Sequence, residues 1–167
     1  MKSLPLLIAA AVAAGAYSPP ARRWILGWGA TPAERELALP GDDLVAAPGI
    51  QSTRAVRIAA PPASVWPWLV QMGSGRGGAY TYDWIENLAG LDMHSADRIL
   101  PEFQDLALGA ELPLGGNAPA IRVEIRDPDH TLAFRSVDGA WLWSFHLVLS
   151  DGGTRLLHTR RGIGFVL

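Results

Sequence analysis

The second half of the chain alternates between apolar and polar residues with a period of two, and no other feature constrains its fold as strongly. A period of two places successive side chains on opposite faces of a strand. Because short turn sequences separate the runs, consecutive strands pair as antiparallel neighbours. We therefore predict an antiparallel sheet with strands at 110–114, 121–126, 140–150 and 154–162, and a return strand that contains Leu132 and Phe134.

The last two of these strands form a hairpin around the sequence Asp-Gly-Gly at 151–153. With a three-residue loop, Ser150 faces Thr154, and this register decides which side chains share a face. One face then carries large apolar side chains and two polar ones, namely Trp141, Trp143, Phe145, Leu147, Leu149, Thr159 and Arg161. The opposite, outward face carries Ser144, His146, His158 and Arg160. The two histidines fall opposite each other there. Without a third ligand nearby, they are typical of a solvated cross-strand pair rather than a metal site.

A further strand and a helix are predicted before this sheet. Residues 52–58 alternate, with Val56 and Ile58 facing inward. Two prolines break that strand, and a helix follows over 62–72, with Ser64 as an alternative start. The order is therefore a strand, then a helix, then the antiparallel run.

The glycine-rich segment 73–78 does not have the context of a phosphate-binding loop. A phosphate cradle needs a strand before it and a helix after it, whereas here a helix precedes and no Lys-Ser or Lys-Thr follows. The segment predicts a flexible turn over the mouth of a cavity. Residues 81–88 predict a short helix capped by Thr81.

The N-terminus begins with an uninterrupted uncharged run, 4–17. Fourteen helical residues span roughly 21 Å, less than the ~30 Å of a bilayer core. Ala14-Gly15-Ala16 also fits a signal cleavage site. Arg22, Arg23 and Trp24 suit a cytoplasmic membrane boundary. We expect a retained anchor with the domain in the cytoplasm. A cleaved signal with secretion, or a peripheral segment, are the alternatives.

Between this run and the first strand lies a lead-in with weak periodicity. Thr31, Pro32 and Glu34 form a helix start signal, in which Thr31 caps the helix. We divide the chain into an anchor or signal segment at 1–26, a lead-in with a short helix at 27–51, and a domain at 52–167.

Composition excludes several classes of function. The net charge is −2, so there is no basic field to attract nucleic acid. The chain has no cysteine, which removes thiolate nucleophiles and Cys-ligated zinc. Its only lysine is Lys2, so a Schiff-base lysine within the domain is excluded.

The helix segment PPASVWPWLVQMG at 61–73 resembles the first helix of the SRPBCC superfamily, which includes START-like, polyketide-cyclase-like and birch-pollen-allergen-like proteins. The continuation RGGAYTYDWIENLAG and HSADRILPEFQDLALG is similar to one bacterial branch of it. Members of that branch often carry an N-terminal hydrophobic segment and a WGAT element, which is found here at 28–31. The resemblance implies an α+β helix-grip fold, in which a curved antiparallel sheet surrounds a long C-terminal helix and a deep apolar cavity lies between them.

The chain departs from that pattern at its C-terminus. It reaches Leu167 just as the last strand ends, so no sequence remains for the gripping helix. We expect either a truncated chain, or a cavity that is open on one side and covered by a partner, which would be a second copy or a helical protein.

Candidate chemistry concentrates between Trp66 and Glu102. His94 with Asp97 is a candidate acid–base pair, and Arg76 or Arg98 a candidate site for a carboxylate or enolate oxygen. The alternative is that these charges tie an irregular loop to the sheet.

The sequence favours binding over catalysis. We expect a membrane-tethered domain that binds a hydrophobic small molecule or lipid in an apolar cavity, without cofactor, metal or nucleic acid. The alternatives are a cyclase- or dehydratase-type enzyme using the same cavity, with His94 and Asp97 as weak catalytic candidates, and a partner-binding module. The predicted ligand-binding residues are Trp68, Met72, Arg76, Tyr82, Trp84, His94, Arg98, Trp141, Trp143 and Phe145.

Overall fold

The structure is a computed structural model that describes residues 18–88, 90–115 and 119–162. Its helices are α1 (Pro19–Leu26), α2 (Pro32–Glu36), α3 (Pro62–Val70) and α4 (Asp83–Leu88), with 3-10 turns at Asp42–Leu44 and Pro101–Phe103. Its strands are β1 (Ile50–Ile58), β2 (Glu111–Leu112), β3 (Ile121–Asp127), β4 (Thr131–Ser136), β5 (Trp141–Ser150) and β6 (Gly153–Gly162).

The strands form one six-stranded antiparallel sheet in the order β1-β6-β5-β4-β3-β2. The first strand therefore pairs with the last, while the others follow one another as a meander. The predicted α+β class and antiparallel sheet are confirmed, and the architecture is consistent with a helix-grip fold. The expected absence of the C-terminal gripping helix concerns chain beyond β6, where the description ends, and stays a prediction.

The register of the β5–β6 hairpin differs from the predicted one. Ser150 pairs with Gly153, so the loop has two residues instead of three. The predicted pairing of Ser150 with Thr154 is wrong by one residue. Because side chains alternate with a period of two, this slip moves every β6 side chain to the other face. Phe145 consequently pairs with His158, and Trp143 with Arg160.

We call the side of the sheet that carries Trp141, Trp143 and Phe145 the inner face. Helix α3 packs on it with four buried apolar side chains, Val65, Trp66, Leu69 and Val70. Their partners in the main core are inward residues of β3, β4 and β5, namely Ile121, Val123, Leu132, Phe134, Phe145 and Leu147. Leu149 and Val56 remain exposed on this face. The predicted cover by a second copy or a helical partner stays a prediction.

The opposite side, the outer face, is covered by the lead-in. Val45 packs there against Ala133 and Leu142 in a second buried cluster. Helix α2 begins with a capping box, in which Thr31 Oγ1 accepts from the Glu34 amide and the Glu34 carboxylate accepts from the Thr31 amide. The predicted Thr31 cap is thus confirmed, and the lead-in is a structural layer of the domain.

We call residues 71–115 the lid segment, because this chain crosses the inner face between α3 and the later strands. Gln71 is fully buried and connects the end of α3 to the lid segment. Its amide nitrogen donates to Tyr80 Oη at 2.7 Å and to the Arg98 carbonyl at 3.0 Å, and its oxygen accepts from the Leu100 amide at 2.9 Å. Apart from α4, one 3-10 turn and the short strand β2 near its end, the described part of this segment is irregular.

The hydrophobic run predicted as an anchor at 4–17 lies outside the described residues. Among the residues that are described, no helix is long and apolar enough to cross a membrane. The boundaries at 26 and 51 stay predictions.

Candidate functional site

A cavity of about 380 Å³ lies between the inner face and the lid segment. Its sheet side is formed by Arg54, Trp141, Trp143, His158 and Arg160, and its other side by Ala79, Thr81, Glu86, Leu91, Met93, Leu114 and Pro119. A second hollow of about 260 Å³, next to β1, shares Arg54 and His158 with it. These two side chains therefore stand where the two spaces meet.

The wall of the cavity is aromatic. The rings of Trp143 and Phe145 lie 4.9 Å apart, and those of Phe134 and Trp143 lie 6.1 Å apart, both tilted. The imidazole of His158 stacks on Phe145 with ring centroids 5.2 Å apart and an interplanar angle of 17°. Tilted and stacked contacts of this kind fix the rings against one another, so the wall is a preformed apolar surface.

The tautomer of His158 is set by its neighbour Trp143. The indole Nε1 of Trp143 donates a hydrogen bond to His158 Nε2. An indole nitrogen is only a donor, so this imidazole nitrogen must accept, and the proton of the neutral ring resides on Nδ1. Burial, followed by the charges of Arg160 and Arg54, lowers the pKa of His158 from 6.5 to about 3. At neutral pH the cavity thus presents an uncharged imidazole with an N–H donor.

Two guanidinium groups line the same cavity. The Arg160 guanidinium lies 5.9 Å from the ring centroid of Trp141, a cation–π distance. Burial and, next, the charge of Arg54 lower the pKa of Arg160, although a guanidinium stays protonated in proteins. Arg54 donates from Nε to the Ile25 carbonyl at 3.2 Å, which ties it to the end of α1. The acidic residue of the lining is Glu86, whose Oε2 is buried without a hydrogen-bond partner in the described structure.

Four of the predicted ligand-binding residues lie at these spaces. Trp141 and Trp143 line the main cavity, Phe145 lines the second hollow, and Met72 lines a small apolar recess below Trp143. Trp68 lies elsewhere, with its ring packed edge-on against Tyr80 at 5.8 Å.

The Arg76 side chain connects backbone carbonyls of helix α3 and of the lid segment. Its guanidinium donates to the carbonyls of Val70, Met72 and Phe103 at 3.0 to 3.2 Å and lies 4.4 Å from the centroid of the Phe103 ring. A side chain with these partners shapes the turn that follows α3.

The remaining predicted residues are on the surface and do not line the cavity. Tyr82 and Trp84 are 71% and 67% exposed. His94 pairs with Asp92 at 3.1 Å, with its side chain 75% exposed. Asp97 and Arg98 form an exposed pair at 3.9 Å. The structure therefore does not bring His94 and Asp97 together with the aromatic wall, and the roles predicted for them stay predictions.

The two sheet histidines are not the solvated cross-strand pair that was predicted. His146 is buried on the outer face, within 3.3 Å of Thr131 Oγ1 and 3.0 Å of Ser144 Oγ. Burial lowers the pKa of His146 from 6.5 to about 4. His158 lies on the inner face, since it pairs with Phe145. No cluster of three or more potential metal ligands occurs among the described residues.

Sequence reasoning missed three basic residues of the site, Arg54, His158 and Arg160. For Arg54 the signal was present, because the alternation that turns Val56 and Ile58 inward also turns Arg54 inward. His158 and Arg160 were assigned to the wrong face by the three-residue loop. An Asp-Gly pair between two alternating runs is a signal for a two-residue connection.

Solved structures of related shape are found for about two thirds of the chain. They include the polyketide-cyclase-like protein Cgl2372 from Corynebacterium glutamicum, with 14% identity over 67% of this chain and 64% of that chain and a TM-score of 0.41. CalU16 from Micromonospora echinospora has 14% identity over 68% and 61%, with a TM-score of 0.44. The Aha1 dimer from Colwellia psychrerythraea has 13% identity over 70% and 78%, with a TM-score of 0.42.

The chain thus spans less than two thirds of the Cgl2372 and CalU16 chains. No family model and no curated protein matches it. Similarity at this level does not carry function from one protein to another, so function has to be argued from the cavity itself.

Proposed function

We propose that this domain binds an apolar small molecule or lipid in the cavity between the inner face and the lid segment. The observation that carries the proposal is the aromatic wall of Trp141 and Trp143 around about 380 Å³ of space. Cavities for small ligands fall at about 300–1,000 Å³ and combine mostly apolar walls with a few polar groups. The cavity has this size and this mixture of lining residues.

Burial of the ligand would supply most of the affinity. Each Å² of apolar surface removed from water contributes about 25 cal/mol, so a ligand that buries about 200 Å² gains about 5 kcal/mol before the cost of its immobilisation. The wall is already fixed by ring–ring contacts and by the Trp143–His158 hydrogen bond. A wall that is ordered before binding loses little conformational entropy when the ligand arrives.

Binding is favoured over catalysis by the state of the basic groups at the cavity. A general base works best when its pKa is near the working pH. His158, with a pKa of about 3, is a poor proton acceptor at neutral pH. The two arginines that line the cavity remain charged and do not exchange protons. These three side chains support recognition better than they support proton transfer.

We also propose that residues 1–26 attach the domain to a membrane, with the domain in the cytoplasm. The uncharged run at 4–17 supports this, as do the arginines of α1 and the exposed Trp24 and Ile25 beside them. After lysis of cells expressing the full chain, we expect the protein to stay in the membrane pellet through alkaline extraction. Release into the supernatant would contradict an anchor, and a shortened chain found outside the cell would show a cleaved signal instead.

The binding proposal is tested by filling the cavity. Ala79 lines it, so Ala79→Trp places an indole in the space that a ligand would occupy. Ala47→Trp adds the same side chain at an exposed position outside the cavity and is the matched control. Naphthaleneacetamide, an uncharged aromatic probe, is titrated into each purified full-length protein by calorimetry.

We expect the wild type and Ala47→Trp to bind the probe with equal affinity, and Ala79→Trp to bind it at least about tenfold more weakly, since it loses the buried surface. Circular dichroism confirms that each variant is folded. Binding that is unchanged in Ala79→Trp, or absent from the wild type, would contradict the proposed function.

A further inference from the structure

We propose that the ligand of this cavity carries one anionic oxygen group, a carboxylate on an apolar body, and that Arg54 and Arg160 bind it. This inference rests on the proposed function, since it names the class of ligand that the same cavity takes. It depends on the observed register, which places both arginines on the inner face.

The two arginines are diagonal neighbours in the sheet. Arg54 on β1 pairs with His158, and Arg160 on β6 pairs with Ser52, so the arginines are offset by two residues on adjacent strands. Diagonal positions of this kind are about 7–8 Å apart, within reach for long side chains. Both arginines line the main cavity. Two guanidinium groups so placed can converge on one ligand group.

The electrostatic situation of Arg54 contrasts with that of two arginines on the outer face. There, Arg155 binds Glu34 and Arg161 binds Asp42, each with a contact at 2.7 Å. On the inner face, no ion pair to an acidic side chain is found for Arg54 in the described part of the chain, where its contact is the Ile25 carbonyl. A partly buried guanidinium beside a second one is destabilised by like charge, and an anion between them would relieve this.

The charge of the lining also sets the charge of the ligand. Among the described lining residues, two guanidinium groups and the carboxylate of Glu86 border the cavity, while His158 is neutral. An anionic ligand group is therefore favoured over a cationic one, because its charge is opposite to that of the two guanidinium groups. The neutral imidazole of His158 lines the same cavity. The indoles of Trp141 and Trp143 supply the surface for the apolar body.

The inference is tested with a matched pair of probes, naphthaleneacetate and naphthaleneacetamide, which share an aromatic body and differ in charge. Both are titrated into the purified full-length chain at neutral pH by calorimetry. Arg54→Gln and Arg160→Gln remove one charge each from the cavity. Arg57→Gln removes one from the opposite face of the same strand β1 and is the control.

We expect the wild type and Arg57→Gln to bind the acid about tenfold or more tightly than the amide, the effect of a hydrogen bond to a charged group. This preference should weaken with added salt. Each cavity variant should lose most of the preference while its affinity for the amide is kept, which also shows that it is folded.

Equal binding of acid and amide by the wild type would overturn the anionic class and leave the proposed function intact. A preference for the acid that survives in both Arg54→Gln and Arg160→Gln would overturn the role of the two arginines and also leave the proposed function intact. If the wild type binds neither probe, the proposed function itself fails. Because the wild type alone gives the acid-to-amide ratio, the anionic class of the ligand is decided even if a variant does not fold.

Discussion

At the scale of single residues, His158 is the most informative side chain of the site. It stacks on Phe145, accepts from the Trp143 indole and lies close enough to Arg54 and Arg160 for their charges to lower its pKa. Protonation of Nε2 would break the bond to the indole and bring a third positive charge to the cavity wall. The fold therefore keeps this ring neutral well below its ordinary pKa.

This state makes folding stability depend on pH. Between pH 6.5 and about 3 the unfolded chain binds a proton on His158 that the folded chain does not, so stability falls as pH falls. His146 acts in the same direction between 6.5 and about 4. From pH 7 to pH 5 each histidine should cost about 2 kcal/mol of unfolding free energy. The carboxylate of Glu34, whose pKa is lowered to about 2, stays ionised over this range and contributes little to the loss.

We predict that His158→Gln, which cannot titrate, removes about half of the loss in stability between pH 7 and pH 5. Urea unfolding at the two pH values measures the free energy of unfolding, and the difference between the two values gives the loss. His94→Gln changes an exposed histidine and should keep the full wild-type loss. A His158→Gln protein that loses as much stability as the wild type would show that His158 titrates normally in the folded state.

At the scale of elements, the β5–β6 hairpin decides what the site is made of. Alternation alone predicted both strands nearly to the residue, but alternation does not specify the length of the loop between them. At Gly153, φ is 152°, and a Cβ there would lie 2.1 Å from the carbonyl oxygen of Ile58. The glycine is thus required by the close approach of β1 and belongs to the strand, leaving two residues for the turn. That distinction depends on a neighbouring strand, which local sequence does not reveal.

The lead-in is the second element whose role was only partly predictable. The start of its helix α2 could be predicted from Thr31 and Glu34. The packing of the lead-in on the outer face could not be predicted, because it depends on partners that are distant in the sequence. Glu34 accepts two hydrogen bonds from Arg155 at 2.7 and 2.8 Å, and this contact, with the bonds from Thr31, lowers the pKa of Glu34 from 4.5 to about 2. One carboxylate therefore caps α2 and fixes it to β6.

Because that pair is mostly shielded from solvent, we predict that Glu34→Gln lowers the unfolding free energy at neutral pH by about 2 kcal/mol. The lost interaction is present above pH 4.5 and disappears as pH falls toward 2, so the difference from the wild type should shrink in acid. Glu36→Gln, at an exposed position in the same helix, is the control and should change stability by less than about 0.5 kcal/mol. Equal effects of the two substitutions would contradict a stabilising role for the Glu34–Arg155 ion pair.

At the scale of the whole molecule, the sheet and the lid segment together make a cavity that neither encloses alone. The sheet, the helix before it and the aromatic wall could be predicted from the sequence, because each of them follows from a local pattern of apolar residues. The conformation of the lid segment could not be predicted in the same way. It is fixed by hydrogen bonds such as those of Gln71 and Arg76, which join residues that are far apart in the sequence and follow no regular spacing. The charged residues that were predicted to be functional there lie on the surface or hold the loop, whereas Glu86 lines the cavity.

The central claim, that a ligand lies against the aromatic wall, is tested most directly by NMR of the tryptophan indole groups. The seven indole N–H signals of the full-length chain, labelled with 15N and assigned by single substitutions, are followed as naphthaleneacetate is added. Trp141 and Trp143 line the cavity, whereas Trp24 and Trp84 are exposed outside it. We predict that the first two signals shift together and saturate while the last two stay unchanged. Shifts confined to Trp24 and Trp84, or no saturable shift at Trp143, would contradict a binding site at this wall.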